Sequence, residues 1–185
     1  AQKLEFAAAL EVEFHVFKPD QPPMSLADSG QPGTPPSVSL LSHGHQYLTE
    51  LRYDRAHELM ELLRSQLIAL GLPLHSLEIE FGPSQFELVF GPTAGVEPAD
   101  TMVLLRSAIK QICQRNGYHA TFMCRPPIPN VMSSGWHLHQ SLRHAGDGRN
   151  PFMPEQPGQS LSALGMNYLA GLKAHACGAA ALASP

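Results

Sequence analysis

The chain has 185 residues and a mass of 20.1 kDa, the size of one domain or a large part of one. Charged residues make up only 15%, against a usual share of about a quarter, and the net charge is −4. This mild acidity offers no basic surface for nucleic acid or an anionic membrane, and no run of apolar residues is long enough to span a bilayer. We therefore expect neither nucleic acid nor membrane among the partners.

The cysteines and the two ends of the sequence bear on its context. Cys113, Cys124 and Cys177 are an odd number without a CxxC pair, which argues against a disulfide framework or a zinc knuckle. The N-terminal segment lacks a signal-peptide pattern, so we expect a cytoplasmic protein. The chain starts at Ala1 without a methionine and ends in an alanine-rich helical stretch, and we expect a fragment of a longer reading frame.

The first half of the chain alternates between strand, loop and helix patterns. Residues 9–17 alternate apolar and polar side chains, which predicts a strand. Residues 18–44 are rich in Pro and Gly and predict a surface loop insertion. A leucine-rich stripe over 53–70 predicts a helix with Asp54 as its N-cap, and Gly71 begins the stop signal.

The second half continues with paired strands. Residues 74–81 and 85–90 read as strands joined by a turn at Gly82-Pro83-Ser84, and residues 97–116 read as a second helix. After these we expect a strand at 118–125, a loop at 126–134, a strand at 135–142 and a last helix from about 160. This order of β-α-β-β-α units favours an α+β fold with an antiparallel sheet over a doubly wound one.

Acids and histidines recur on one face of four predicted strands, because residues i and i+2 of a strand point the same way. They are Glu11 and Glu13, Glu78 and Glu80, Glu87, and His137 and His139, and Ser141 shares the face of the two histidines. One such pair alone is typical of an ordinary solvated strand. Here, however, no Lys or Arg stands on those faces, and carboxylates crowded without countercharges call for a cation.

The ligand types indicate which cation. Five carboxylates with one or two imidazoles and no thiolate favour Mg²⁺ or Mn²⁺ over a structural zinc. More than three carboxylates suggest two or more ions, and such sites suit phosphate chemistry. The chain has no Walker A motif and no GxGxxG, so a nucleotide would be held by metal and sheet.

Three stretches, in order, resemble the catalytic domain of glutamine synthetase of the bacterial type I branch. LEVEF at residues 10–14 is similar to the family's P-E-x-E-F strand. EFGPSQFE at 80–87 is similar to E-x-x-P-G-Q-x-E. The stretch 120–142 is similar to A-T-F-M-x-K-P followed by G-S-G-M-H-x-H-x-S-L. The combination covers most of residues 10–142 and is far more specific than any one motif.

The resemblance implies a role for each matching position. One metal would be held by Glu13, Glu80 and Glu87, and a second, which coordinates the nucleotide phosphates, by Glu11 and His137. ATP contacts would come from His139 and Ser141. The catalytic residues would be Glu87 and His139. Substrate contacts would come from Ser133 and Gly135.

The resemblance also implies a reaction. The γ-carboxylate of glutamate would take the γ-phosphoryl group of ATP, and ammonia or an amine would then displace phosphate from γ-glutamyl phosphate. The protein would thus be an ATP-dependent carbon–nitrogen ligase of nitrogen metabolism and glutamine biosynthesis, which uses Mg²⁺ or Mn²⁺. Members of the family form rings, so we expect a homo-oligomer.

Several positions depart from the family pattern. Met132 and Ser133 replace the Asn-Gly pair that contacts glutamate, and Trp136 replaces a usual Met. Arg125 stands for a Lys and Glu78 for a His, and Glu78 reads as an exposed strand acid. These changes suit the alternative of a γ-glutamyl-polyamine or alkylamine ligase rather than glutamine synthetase proper.

Residues 1–185 are expected to be the N-terminal half of such a catalytic domain, without the family's β-grasp domain and the C-terminal part, and inactive alone. Two rivals remain. A guanidino kinase would need an Arg cluster for ATP, which the chain lacks. A structural homologue without catalysis would have no reason to keep the matching carboxylates and histidines.

Overall fold

Alternating apolar and polar residues make β1 (Leu4–Pro19) the strand on which the sheet is built. The computed structural model describes residues 3–20, 26–33 and 35–183. The remaining elements, in chain order, are a 3₁₀ helix (Leu26–Ser29), β2 (Val38–Leu40), α1 (Glu50–Ala69), β3 (Leu74–Ile79), β4 (Gln85–Phe90), β5 (Thr93–Ala94), α2 (Glu97–Arg115), β6 (His119–Thr121), β7 (Trp136–His144) and α3 (Ala163–Ala183).

The sheet has seven strands in the order β2-β1-β4-β3, and β5, β6 and β7 also pair with β1. The pairings of β1 with β2, β4 and β6, and of β3 with β4, are antiparallel. The α+β fold with an antiparallel sheet is therefore confirmed. Contacts divide the chain into two compact units, a larger one of Ala9–His139 and a smaller one of the first eight residues with those from Gln140 onward.

One face of the sheet in the larger unit is apolar and carries the core. Val12, Phe14 and Val16 of β1 are completely buried, and β4 contributes Phe86 and Leu88 to the same cluster. The helices α1 and α2 add buried leucines and isoleucines, namely Leu59, Leu63, Leu67, Leu105, Ile109 and Ile112. The even-numbered residues of β1 are thus committed to the core, and its odd-numbered residues must face the other way.

The predicted strands at 74–81 and 85–90 and the helix at 97–116 agree with β3, β4 and α2 to within two residues. The start of α1 differs: the helix begins at Glu50, its N-cap is Thr49, and the prediction of Asp54 as N-cap is wrong. A tertiary contact explains the earlier start. Arg52 is buried in the first turn and donates hydrogen bonds to the carbonyls of Gln46 and Gly82.

Two other predicted boundaries change. The loop insertion at 18–44 contains β2, which pairs with the end of β1 through Phe17 and Leu40. Residues 21–25 and 34 of that predicted loop lie outside the described residues. β6 is shorter than the predicted strand at 118–125, since its pairing with β1 ends at Thr121.

The smaller unit has its own contacts. Arg143 pairs with Glu5 at 2.8 Å, and the hydroxyl of Tyr168 in α3 donates to the Gln140 side chain at 2.7 Å. The rings of Phe152 and Tyr168 lie 5.1 Å apart. Among the described residues, none of the helices combines the length and the apolar character needed to cross a membrane.

The core predicts the effect of truncating α1. We expect Leu63→Ala to lower the free energy of unfolding by about 2–5 kcal/mol, because Leu63 is completely buried and a cavity would remain. Leu51→Ala on the same helix is the matched control, since Leu51 is 76% exposed. Urea unfolding followed by circular dichroism measures both, and equal losses would contradict this assignment of the core.

Candidate metal centre

The strand register places three carboxylates side by side on the polar face of the sheet. Glu13 of β1 lies directly opposite Glu87 of β4, and Glu87 lies directly opposite Glu78 of β3. Residues paired in this way have Cβ atoms about 4.5–5.5 Å apart and point to the same face. Glu78 is half-buried and accepts a hydrogen bond from Ser76 at 2.6 Å, so it is less exposed than the sequence suggested. Like charges this close repel one another.

Glu11 is clamped between two imidazoles of β7. His137 Nδ1 lies 2.9 Å from one carboxylate oxygen of Glu11, and His139 Nε2 lies 2.9 Å from the other. The hydrogen bond to His137 holds the pKa of Glu11 below its usual value, and the same contact raises the pKa of His137. His137 and His139 are predicted to share one face of a strand, and both contact the carboxylate of Glu11.

One group of side chains has the spacing of a metal site. Ligand atoms of Glu11, Glu87 and His137 all lie within 4.8 Å of one another. His137 Nε2 also lies 4.0 Å from Glu13 Oε1. The group combines Glu87 from the first ligand set predicted from the family with Glu11 and His137 from the second. Its two carboxylates and one imidazole suit a hard divalent cation.

Among these acids, Glu87 has the surroundings that most disfavour a negative charge. It is 7% exposed, and burial raises its pKa to about 7, with Glu80 adding the largest repulsion from a neighbouring charge. Burial likewise raises the pKa of Glu13, which also feels Glu80. A carboxylate in this position resists ionisation until a cation neutralises its neighbours.

Glu80 borders the cluster. Glu80 follows β3 directly, and its amide donates to the carbonyl of Gln85 at 3.0 Å across the β3–β4 turn. Burial raises the pKa of Tyr47, an exposed loop residue, and the charges of Glu80 and Glu87 raise it further. Sequence reasoning did not single out Tyr47, because it lies in a loop where no periodicity links it to the strands.

The segment before β7 lies against Glu13. The amide of Gly135 donates to Glu13 Oε2 at 3.1 Å, and the amide of Glu13 donates to the carbonyl of Gly135 at 3.1 Å. A Cβ atom on Gly135 would lie 2.9 Å from Nε2 of His137, so a side chain here would displace the exposed imidazole. Ser133 is exposed and its carbonyl accepts a hydrogen bond from Gln85 at 3.1 Å.

Two other singled-out residues lie elsewhere. Trp136 packs edge-on against Phe122, with ring centres 6.2 Å apart, and Arg106 lies 5.5 Å above its ring. Its indole N–H donates to the carbonyl of Glu13 at 3.3 Å, so it attaches the start of β7 to β1. Ser141 lies farther along β7 in the smaller unit, where its hydroxyl donates to the carbonyl of Leu142 at 3.4 Å.

The raised pKa of Glu87 predicts a pH-dependent stability of the metal-free chain. Between its ordinary value of 4.5 and about 7, folded Glu87 holds a proton that the unfolded chain releases. This contribution is complete at low pH and is lost as the pH rises through about 7. Glu87→Gln should therefore stabilise the chain relative to wild type more at about pH 8 than at about pH 5.

Urea unfolding of wild type and Glu87→Gln, with a chelator present, is measured between about pH 5 and about pH 8. Taking the difference between the two proteins cancels the titration of the other groups. Glu58→Gln, an exposed acid of α1, is the matched control and should give a constant difference. A constant difference for Glu87→Gln as well would contradict the assigned environment of this carboxylate.

Comparison with known proteins identifies the family to which the chain is similar. The family model described as glutamine synthetase, catalytic domain, matches residues 1–185. Gamma-glutamylanilide synthase from Acinetobacter sp is 40% identical over 97% of this chain and 37% of its own length. Glutamate–isopropylamine ligase from Pseudomonas sp is 32% identical over 90% of this chain and 35% of its own length.

A solved structure described as a novel glutamine synthase homolog has a TM-score of 0.72 and 27% identity, over 93% of this chain and 35% of its own. The chain thus spans somewhat more than a third of the length of the curated relatives just described. Because the family model matches residues 1–185 and the fold agrees, the chain belongs to the family of glutamine synthetase catalytic domains.

Proposed function

We propose that the whole protein is an ATP-dependent ligase that forms a γ-glutamyl amide from glutamate and ammonia or an amine, through γ-glutamyl phosphate. The observation that carries the proposal is the convergence of Glu11, Glu87 and His137 within 4.8 Å, in a chain of this family. Relatives named as a γ-glutamylanilide synthase and a glutamate–isopropylamine ligase support the reaction class. The chain is proposed to form the N-terminal half of the catalytic domain.

The residues present fit a divalent metal. Glu87 is buried, and burial together with the negative charges of neighbouring acids raises its pKa to about 7. We propose that Glu11, Glu87 and His137 hold Mg²⁺ or Mn²⁺, and that Glu13 and Glu80 take part in a second ion. Such ions neutralise phosphate oxygens and position the nucleotide.

Other side chains are proposed to act on the substrates. His139 shares Glu11 with His137 and is 60% exposed, which leaves it free to contact the phosphates of ATP. The Gly135 backbone bonds to Glu13 and Ser133 bonds to Gln85, and both are proposed to contact glutamate. Ser141 is proposed as an ATP contact from its place in the family motif.

The amine substrate is proposed to be organic. The chain is 40% identical to an enzyme named for an anilide product and 32% identical to one named for isopropylamine. Met132 also stands where the family carries an asparagine, and its thioether side chain cannot donate a hydrogen bond. A homo-oligomeric ring, a cytoplasmic location and a polyamine substrate stay predictions.

Metal binding is tested on the chain by thermal unfolding with Mn²⁺. Saturation at about 100 times the dissociation constant should stabilise the folded state by about 2.7 kcal/mol. Glu11→Gln and Glu87→Gln should abolish most of the shift, and Glu58→Gln on α1 should retain it. The absence of any Mn²⁺ shift in wild type would favour the structural homologue without a metal site.

The substrate is tested on the whole protein by phosphate release from ATP with glutamate and one amine at a time. We expect aniline or isopropylamine to support faster release than ammonia, and Glu87→Gln to reduce the rate by at least about 100-fold, as for the loss of a metal-site residue. If ammonia supports release as well as either amine, the organic-amine assignment is wrong and glutamine synthetase proper is favoured.

A further inference from the structure

We propose that Gln85, which the metal set does not include, is a positioning residue that fixes the carboxylate of Glu13 and ties the segment before β7 to the β3–β4 turn. Its consequence for metal binding rests on the function proposed above. The positioning itself rests on hydrogen bonds within the larger unit, and these can be tested separately.

Gln85 is 1% exposed and its amide is fixed in orientation. Its Oε1 accepts a hydrogen bond from the backbone amide of Gly82 at 2.9 Å. Because a backbone N–H can only donate, Oε1 must face Gly82 and Nε2 must face the opposite way. Nε2 then donates to Glu13 Oε2 at 2.9 Å.

The same nitrogen reaches the segment that precedes β7. Nε2 lies 3.1 Å from the carbonyl oxygen of Ser133 and 3.1 Å from the hydroxyl of Ser134. Ser134 is buried, and its hydroxyl lies 3.3 Å from Nδ1 of His15, which is completely buried on the same face of β1. One amide therefore joins three segments that are far apart in sequence.

The two carboxylate oxygens of Glu13 have different partners. Oε2 accepts from both Gln85 Nε2 and the Gly135 amide, at 2.9 and 3.1 Å. Oε1 is the oxygen that faces His137, at 4.0 Å from its Nε2. A carboxylate held through one oxygen presents the other in a fixed direction, which is how outer hydrogen bonds orient a ligand.

The packing around Gln85 leaves its amide little freedom. A Cβ atom on Gly82 would lie 2.3 Å from Gln85 Oε1 and 2.9 Å from the Cβ of Met132. Gly82→Ala must therefore displace the amide, although it leaves every polar group in the chain. This substitution offers a second way to disturb the position without changing Gln85 itself.

The test compares Gln85→Met and Gly82→Ala with Gln111→Met as the matched control. Gln111 is an exposed glutamine of α2 whose amide bonds to Ser107 within the same helix. Two quantities are measured on the folded chain: the dissociation constant for Mn²⁺ and the hydrogen-exchange rate of the Gly135 amide. We expect both Gln85→Met and Gly82→Ala to weaken Mn²⁺ binding by about 10- to 100-fold.

The Gly135 amide gives a readout that does not depend on metal. Without Gln85, Glu13 Oε2 is held by Gly135 alone, so exchange of this amide should accelerate in the metal-free chain. If both variants keep the wild-type exchange rate of the Gly135 amide and the wild-type affinity for Mn²⁺, the positioning role is wrong, even if the variants are less stable. If Gln85→Met does not fold, Gly82→Ala decides by the same two measurements.

The two proposals can fail separately. If wild type binds no Mn²⁺, the metal site is wrong, and the exchange of Gly135 still decides whether Gln85 holds Glu13. If wild type binds Mn²⁺, and both variants bind it equally well and keep the wild-type exchange of the Gly135 amide, the metal site stands and the role of Gln85 is wrong.

Discussion

The antiparallel pairing of β1 with β4 is the constraint on which the candidate site depends. This register sets Glu13 against Glu87, and the pairing of β4 with β3 extends the row to Glu78. Adjacent carboxylates on neighbouring strands repel, yet the apolar side chains of the same strands fix the register by burying Phe14, Phe86 and Leu88. The apolar core therefore keeps these acids close together despite the repulsion between their charges.

The histidines of β7 contact one of these acids. Glu11 is matched by His137 and His139, whereas Glu87 lies deeper and is left among other acids. The electrostatic imbalance is therefore concentrated at the buried end of the cluster. A divalent cation placed there would remove it.

Neutral groups, and not charges, fix the geometry around Glu13. Gln85, the Gly135 amide and the Ser134 hydroxyl contribute hydrogen bonds without adding charge. Position 82 needs glycine because a side chain there would collide with the buried Gln85 and with Met132, and the Gly135 backbone bonds to Glu13 through both its amide and its carbonyl. The short segment before β7 thus depends on backbone approach as much as on its side chains.

The sequence alone predicted the period-2 faces, the helix at 97–116 and the family, since strand alternation and the spacing of motifs are local properties of the chain. It also singled out Glu11, Glu87 and His137 before their convergence was visible. Which oxygen contacts which nitrogen could not be predicted in this way, because register and burial depend on contacts between segments distant in sequence. The same reason explains Arg52 at the start of α1 and Gln85 beside Glu13: neither repeats a local pattern, and each acts through residues that the fold brings to it.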